Sequence, residues 1–240
     1  MLSIRRFIRL GSAGALLVTG IGLGAIVASP PAGASGFSWS VVPTPNPSSS
    51  PNDNLPGVAC TSTSDCWAVG SASSGVGLSQ TLAEHWDGTA WSIVTTPNAG
   101  TSEENFLYGV ACISAADCWA VGYSVVSGFV ADTLAEHWNG SAWSIVTTPN
   151  PSTSLDNLSA VACTGTSDCW AVGFASAGLL VDTLTEHWNG TTWQAVKSPN
   201  VSGYLNYLSA VAVVTSSDVW TVGNYDNNDI FYQTLIEHYC

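Results

Sequence analysis

The chain has 240 residues, of which 17 are carboxylates and four are basic, giving a formal net charge of −13. It is nonetheless 46% hydrophobic with 11 tryptophans, enough apolar surface to bury a core, which excludes a disordered acidic tail. An acidic surface of this kind disfavours nucleic acid and anionic lipid as partners and leaves calcium or cationic partners open.

Residues 1–34 read as a secretory signal peptide. Arg5, Arg6 and Arg9 precede an apolar run that ends in the small-residue sequence Ala32-Gly33-Ala34, the layout of a cleavable export signal. An uncleaved membrane anchor is the alternative, because the run from Leu10 to Ala28 approaches the length of a membrane span. Five glycines in that run argue against an anchor helix. Without this segment the chain keeps one basic residue, Lys197.

From residue 35 to 240 one unit recurs four times, over approximately 37–86, 87–138, 139–188 and 189–240. Trp39, Trp91, Trp143 and Trp193 mark the period, which is about 50 residues. In chain order each unit runs "AWSIVTTPN", a Pro/Ser/Asn-rich loop, "LxxVAC", a short turn, "DCWAVG", a variable Gly/Ser loop and "TLAEHWNG". Short β-branched and aromatic stretches separated by Gly, Pro, Asn and Ser predict a four-stranded antiparallel meander in each unit. "GVAC" and "CWAVG" are apolar at successive positions, so both faces of that hairpin are expected to be covered. Small sheets stacked face to face around an axis meet this demand, and the predicted fold is an all-β propeller of four-stranded blades.

The pattern "CWAVG", variable loop, "TLAEHWDG", "TAWSIV", "TPNP" resembles a kelch-type propeller repeat, and "WDGTAW" is similar to the Asp-box turn of sialidase-type propellers. Both resemblances imply a propeller over residues 37–240. They depart from their families at a single glycine, Gly70, Gly122, Gly173 and Gly223, where kelch repeats carry a doublet, and in a shortened Asp-to-Trp spacing. The fourth unit ends before a final strand of its own, which the Trp39 segment is expected to supply, tying the first and last blades into one sheet; the alternative is a fragment of a larger ring.

The cysteines vary together. Cys60 and Cys66, Cys112 and Cys118, and Cys163 and Cys169 recur at one spacing, and the fourth unit replaces both members with Val213 and Val219. Joint loss predicts that they pair within each unit, across a hairpin at a non-hydrogen-bonded site. Oxidised pairs fit a secreted protein. Cys240 is left without a partner. Zinc ligation by two pairs is disfavoured by the spacing.

Candidate chemistry is sparse. Glu84-His85, Glu136-His137, Glu186-His187 and Glu237-His238 occupy one repeat position, and a group wanted in every blade is read as structural, a blade-to-blade hydrogen bond or buried ion pair. Asp65, Asp117, Asp168 and Asp218 read as turn residues. Trp67, Trp119, Trp170 and Trp220 read as blade core, while Trp86, Trp138 and Trp188, at the edge of a turn, suit either packing or stacking on a sugar. The variable loops carry the unrepeated residues Tyr123 and Phe129 as ligand-binding candidates. Asp226, Asn228 and Asp229 crowd oxygen ligands into one loop, a weak calcium signal. The chain has no arginine after residue 9, which argues against sialidase chemistry, since a substrate carboxylate is held there by several arginines. No nucleophile elbow or phosphate loop occurs. The expected function is a secreted or cell-surface, non-catalytic binding scaffold for a glycan or protein ligand. The alternative is a glycan-active propeller enzyme whose site lies in unrepeated loops, with Tyr123, Phe129, Asp226 and Asp229 among its residues.

Overall fold

The computed structural model describes residues 38–47, 52–73, 78–100, 104–201, 203–226 and 231–240. The segment read as a signal peptide, and Asn228 and Asp229, lie outside the described residues. Val42–Cys240 forms one compact unit.

This unit is all-β. Blade one contains β1 (Asn54–Ser62), β2 (Asp65–Ser73), β3 (Ser79–Trp86) and β4 (Trp91–Val94); blade two contains β5 (Asn105–Ser114), β6 (Asp117–Ser127), β7 (Val130–Trp138) and β8 (Trp143–Val146). Blade three contains β9 (Leu155–Gly165), β10 (Asp168–Ala177), β11 (Leu180–Trp188) and β12 (Trp193–Val196), and blade four β13 (Leu205–Thr215), β14 (Asp218–Asp226) and β15 (Tyr232–Tyr239). Within each blade consecutive strands pair antiparallel. Single parallel bridges, Ala131↔Leu155 and Val181↔Leu205, join blade two to three and three to four. The first strands, β1, β5, β9 and β13, are neighbours in space in that order.

The predicted disulfides are present. Cys60–Cys66, Cys112–Cys118 and Cys163–Cys169 are bonded, each pair in direct register across its hairpin. Val213 faces Val219 at the same place in blade four, so opposed methyl groups stand where the other blades hold sulfur. Cys240 is free and exposed.

The repeated single glycine has a steric cause. A Cβ at Gly70, Gly122, Gly173 or Gly223 would lie 1.9, 1.9, 2.0 and 1.8 Å from a backbone carbonyl oxygen of the first strand, at Asn54, Phe106, Asn157 and Tyr207. Only glycine lets the first two strands approach so closely.

The core lies between blades. One cluster joins Trp67, Val69 and Ala83 of blade one to Leu107, Val110, Cys118, Leu134 and Trp143 of blade two. The next joins Trp119, Val121 and Ala135 to Leu158, Val161, Cys169, Leu184 and Trp193, and a third joins Val172 to Leu208 and Leu235. Both faces of each inner blade are therefore covered, as the uninterrupted apolar runs require.

The expected strand exchange is not what the structure shows. Residues 38–47 hold no strand, Trp39 is fully exposed, and β15 pairs with β14 alone among the described residues. The outward face of blade four is exposed at Trp220, Val222 and Ile236.

Candidate functional site

Each blade has two different ends. At one end lie the disulfides and the turn from the third to the fourth strand. In that turn the side-chain oxygen of Asp87, Asn139 or Asn189 accepts hydrogen bonds from the backbone N–H groups two and three residues on, at 2.8–3.0 Å. Gly88, Gly140 and Gly190 follow with φ of 94°, 88° and 90°, the left-handed geometry that such a turn needs. The Thr89 hydroxyl and the turn amides hold the Asp87 carboxyl down at about 2. This turn is the physical content of the "WDG" and "WNG" motif.

The repeated histidines belong to this end. The Nε2–H of His85, His137, His187 and His238 donates to Asp65, Asp117, Asp168 and Asp218 at 2.7, 2.8, 2.8 and 2.9 Å. Burial raises the Asp65 pKa, but hydrogen bonds from His85 and Thr61 outweigh it and hold the carboxyl below the usual range. These pairs lie within one blade, linking its third strand to the start of its second, and each imidazole also packs on that blade's tryptophan.

The glutamates point the other way, because successive residues of a strand face opposite sides. Glu84, Glu136 and Glu186 are almost completely buried. Glu84 accepts a hydrogen bond from Thr44; Glu136 has only the Thr81 hydroxyl of blade one near it, outside good hydrogen-bond geometry, and neither carboxylate oxygen of Glu186 has a partner among the described residues. Burial pushes Glu136 and Glu186 up to about 8 and Glu237 to about 7. At pH 7 Glu136 and Glu186 are therefore mostly in the neutral acid form, and Glu237 is close to half-protonated. The Glu-His unit is thus two unrelated contacts, and the histidine is not within a proton relay of the acid.

At the opposite end, away from the disulfides, the aromatic side chains differ from blade to blade. A cleft of about 540 Å³ is lined by Pro56 of β1, Tyr108 of β5, Tyr123 of β6, Leu155, Asn157 and Ser159 of β9, and Phe174 of β10. Tyr123 lies between Phe106 and Tyr108, with ring centroids 4.9 and 5.9 Å away. Phe174 meets Tyr207 edge-on at 5.0 Å. Burial, then the neighbouring Tyr108 phenol, pushes the Tyr123 hydroxyl well above the usual tyrosine range, so it remains a donor. Among the described residues, no carboxylate, amine or imidazole lines this cleft. What it offers is aromatic faces with amide and hydroxyl groups.

The other sequence candidates do not join Tyr123. Phe129 is fully exposed at the tip of the β6–β7 hairpin, after Gly128 with φ of 56°. Leu179 stands at the equivalent tip in blade three, after Gly178. Trp138 and Trp188 sit at the disulfide end, against Trp67 and Trp119 of the preceding blade at 4.7 Å. Trp86, Trp138 and Trp188 each donate an indole N–H to a loop carbonyl, of Thr63, Ala115 and Thr166. Asp226 is the last residue of β14, and no group of three or more His, Cys, Asp or Glu able to hold a metal occurs among the described residues. Tyr108, Asn157 and Phe174 went unnoticed in the sequence. Their signal was available: the Tyr108 position is Pro56, Ser159 and Ser209 in the other units, so it varies on a strand that otherwise repeats.

No family model and no curated protein matches the chain. Solved structures resemble it in part. One, of YCF48 bound to D1 peptide, has 13% identity and a TM-score of 0.41, with 75% of this chain and 53% of that one covered. Another, of a fucose lectin from Kordia zhangzhouensis in complex with methyl-fucoside, has 9% identity and a TM-score of 0.40, with 60% of this chain and 99% of that one covered. The chain spans about half the length of the YCF48 structure.

Proposed function

We propose that the protein is an exported, non-catalytic binding protein that holds a neutral glycan in the cleft formed by Tyr108, Tyr123, Asn157, Ser159 and Phe174. The cleft carries this reading: half-buried aromatic rings suit the apolar face of a sugar ring, and Asn, Ser and Tyr suit its hydroxyls. Among the described residues its lining holds no carboxylate, amine or imidazole, the side chains that most often serve as general acid or base. The three disulfides and the N-terminal pattern support export into an oxidising compartment.

The test is a glycan array on the purified protein, with and without calcium, followed by calorimetry on any hit. Tyr123→Ala is expected to weaken binding at least about 10-fold, the loss of one stacking contact. Binding unchanged in Tyr123→Ala and in Tyr108→Ala would move the site elsewhere. A protein ligand is the second reading, favoured by exposed Phe129 and Leu179 at two adjacent hairpin tips. It predicts that Phe129→Ala, and not Tyr123→Ala, reduces binding. The enzyme reading has less support, since Phe129 stands clear of the cleft that holds Tyr123.

A further inference from the structure

The blade junctions share one construction. Trp67, Trp119 and Trp170, all 1–3% exposed, each project from one blade against the next. Trp67 enters a slot between Trp138 and Trp143 of blade two, with centroids at 4.7 and 5.0 Å and the second ring at 89°. Trp119 enters the Trp188 and Trp193 slot of blade three at 4.7 and 5.1 Å, the second ring at 90°. Trp170 meets Tyr239 of blade four at 4.8 Å.

Both halves of this junction occur once more, separately, at the two ends of the row. Blade four presents Trp220 at 43% exposure, with Val222 at 43% and Ile236 at 65%. The residues in those two flanking positions elsewhere, Val69, Val121, Ala83 and Ala135, are 0% exposed. Blade one presents Val58 at 66% exposure, whereas Val110 and Val161 are at 9% and 8%. Its receiving slot is already built: the Trp86 and Trp91 rings are 5.8 Å apart at 46°, against 5.8 Å at 45° for Trp138 and Trp143 and 5.9 Å at 47° for Trp188 and Trp193. Trp220 and Val58 are both exposed in the same chain, so the two end faces do not meet each other there; on the receiving side Leu82 and Glu84 are covered, with Thr44, Pro45 and Asn46 beside them.

We propose that these faces are an interface with a second copy of this chain. Trp220 of each copy enters the Trp86–Trp91 slot of the other, and the two four-blade rows close into one ring with twofold symmetry. The occupant is argued from continuity with the established junction, which this chain already makes with the same residue types at the same positions. A head-to-tail contact of this kind yields a closed ring when its rotation closes and a fibre when it does not, and eight blades fall within the known range of about 4–8 for propellers. The receiving face carries Glu84, almost completely buried and accepting a hydrogen bond from Thr44, and the projecting face carries the Asp218–His238 pair beside Trp220, so each established junction's buried glutamate has its counterpart in the proposed one.

The experiment is sedimentation equilibrium of the purified chain across a micromolar concentration series, with near-ultraviolet circular dichroism as the folding control. The expected mass is twice that of one chain. Trp220→Ala, on an exposed face, is expected to fold and to weaken dimerisation by about 100-fold or more, as removal of an aromatic anchor does. Trp91→Ala, in the receiving slot, is expected to act likewise. An equimolar mixture of the two variants restores one intact junction and is therefore expected to dimerise more strongly than either alone. A monomeric wild-type chain, a dimer indifferent to both substitutions, no gain on mixing, or polymers that grow with concentration would each overturn the proposal.

Discussion

Trp119 and Phe129 lie on the same hairpin of blade two and face opposite physical conditions. Trp119 is 1% exposed, stacked near His137 and edge-on to Trp193. Phe129 is 100% exposed at the hairpin tip. Both are large aromatics, yet only the first recurs in every unit, as Trp67, Trp170 and Trp220. A residue used in each blade junction is constrained by the same packing each time, whereas a residue at a hairpin tip is free to differ because nothing packs on it. In this molecule repetition marks what holds blades together, and departure from repetition marks what is free to meet a ligand.

The contrast predicts a graded set of effects. Trp119→Ala is expected to cost about 3–5 kcal/mol of stability, the usual range for deleting a buried indole, as read from urea unfolding. Phe129→Ala is expected to stay within about 0.5 kcal/mol of wild type. Comparable losses from the two would break the distinction.

The second prediction concerns pH. Glu136 and Glu186 titrate at about 8 in the folded state because they are buried, above the ordinary carboxylate value. Folded protein then retains protons that unfolded protein releases, so their contribution to stability is full at low pH and is lost as pH rises toward 8. Each group contributes a slope of up to about 1.4 kcal/mol per pH unit within that window. Glu136→Gln, which mimics the neutral acid, should remove one proton's worth of slope from the urea midpoint plotted against pH. An unchanged slope would mean that Glu136 is solvated or paired. Asp65, whose carboxyl is held low, works in the opposite sense and loses its contribution only as pH falls into the acid range.

Smaller effects are expected at the disulfide end. Replacing Cys112 and Cys118 together by Val should cost about 2 kcal/mol or less, given the short loop that the bond closes and the tolerance of blade four for Val213 opposite Val219. Non-reduced peptide mapping should show that the other two bonds are untouched. His137→Ala, which removes a part-exposed pair with Asp117, is expected to cost about 1 kcal/mol or less and to leave any ligand affinity unchanged. A loss of affinity there would move the binding site to the repeated end.

The blade pattern was legible because local rules suffice for it. The joint loss of two cysteines identified the hairpin register, and the apolar runs identified sheets covered on both sides. The Glu-His repeat was harder to read, because adjacency in sequence hides that one side chain enters the blade junction and the other turns toward Asp117 within its own blade. The cleft was only partly legible: Tyr123 was visible as an unrepeated residue, but Tyr108 and Asn157 belong to strands that look repetitive, and what brings them to Phe174 is contact between blades.

By itself the sequence determined the unit, its four occurrences, the strand order inside a blade and the three disulfides, since all of these depend on residues close together along the chain. Tertiary structure alone decided which tryptophan enters which slot, that Glu136 is buried at a blade junction, and that Trp220 and Val58 stay exposed. Those outcomes depend on the stacking of one blade on another, and no pattern within a single unit encodes whether a further blade follows it.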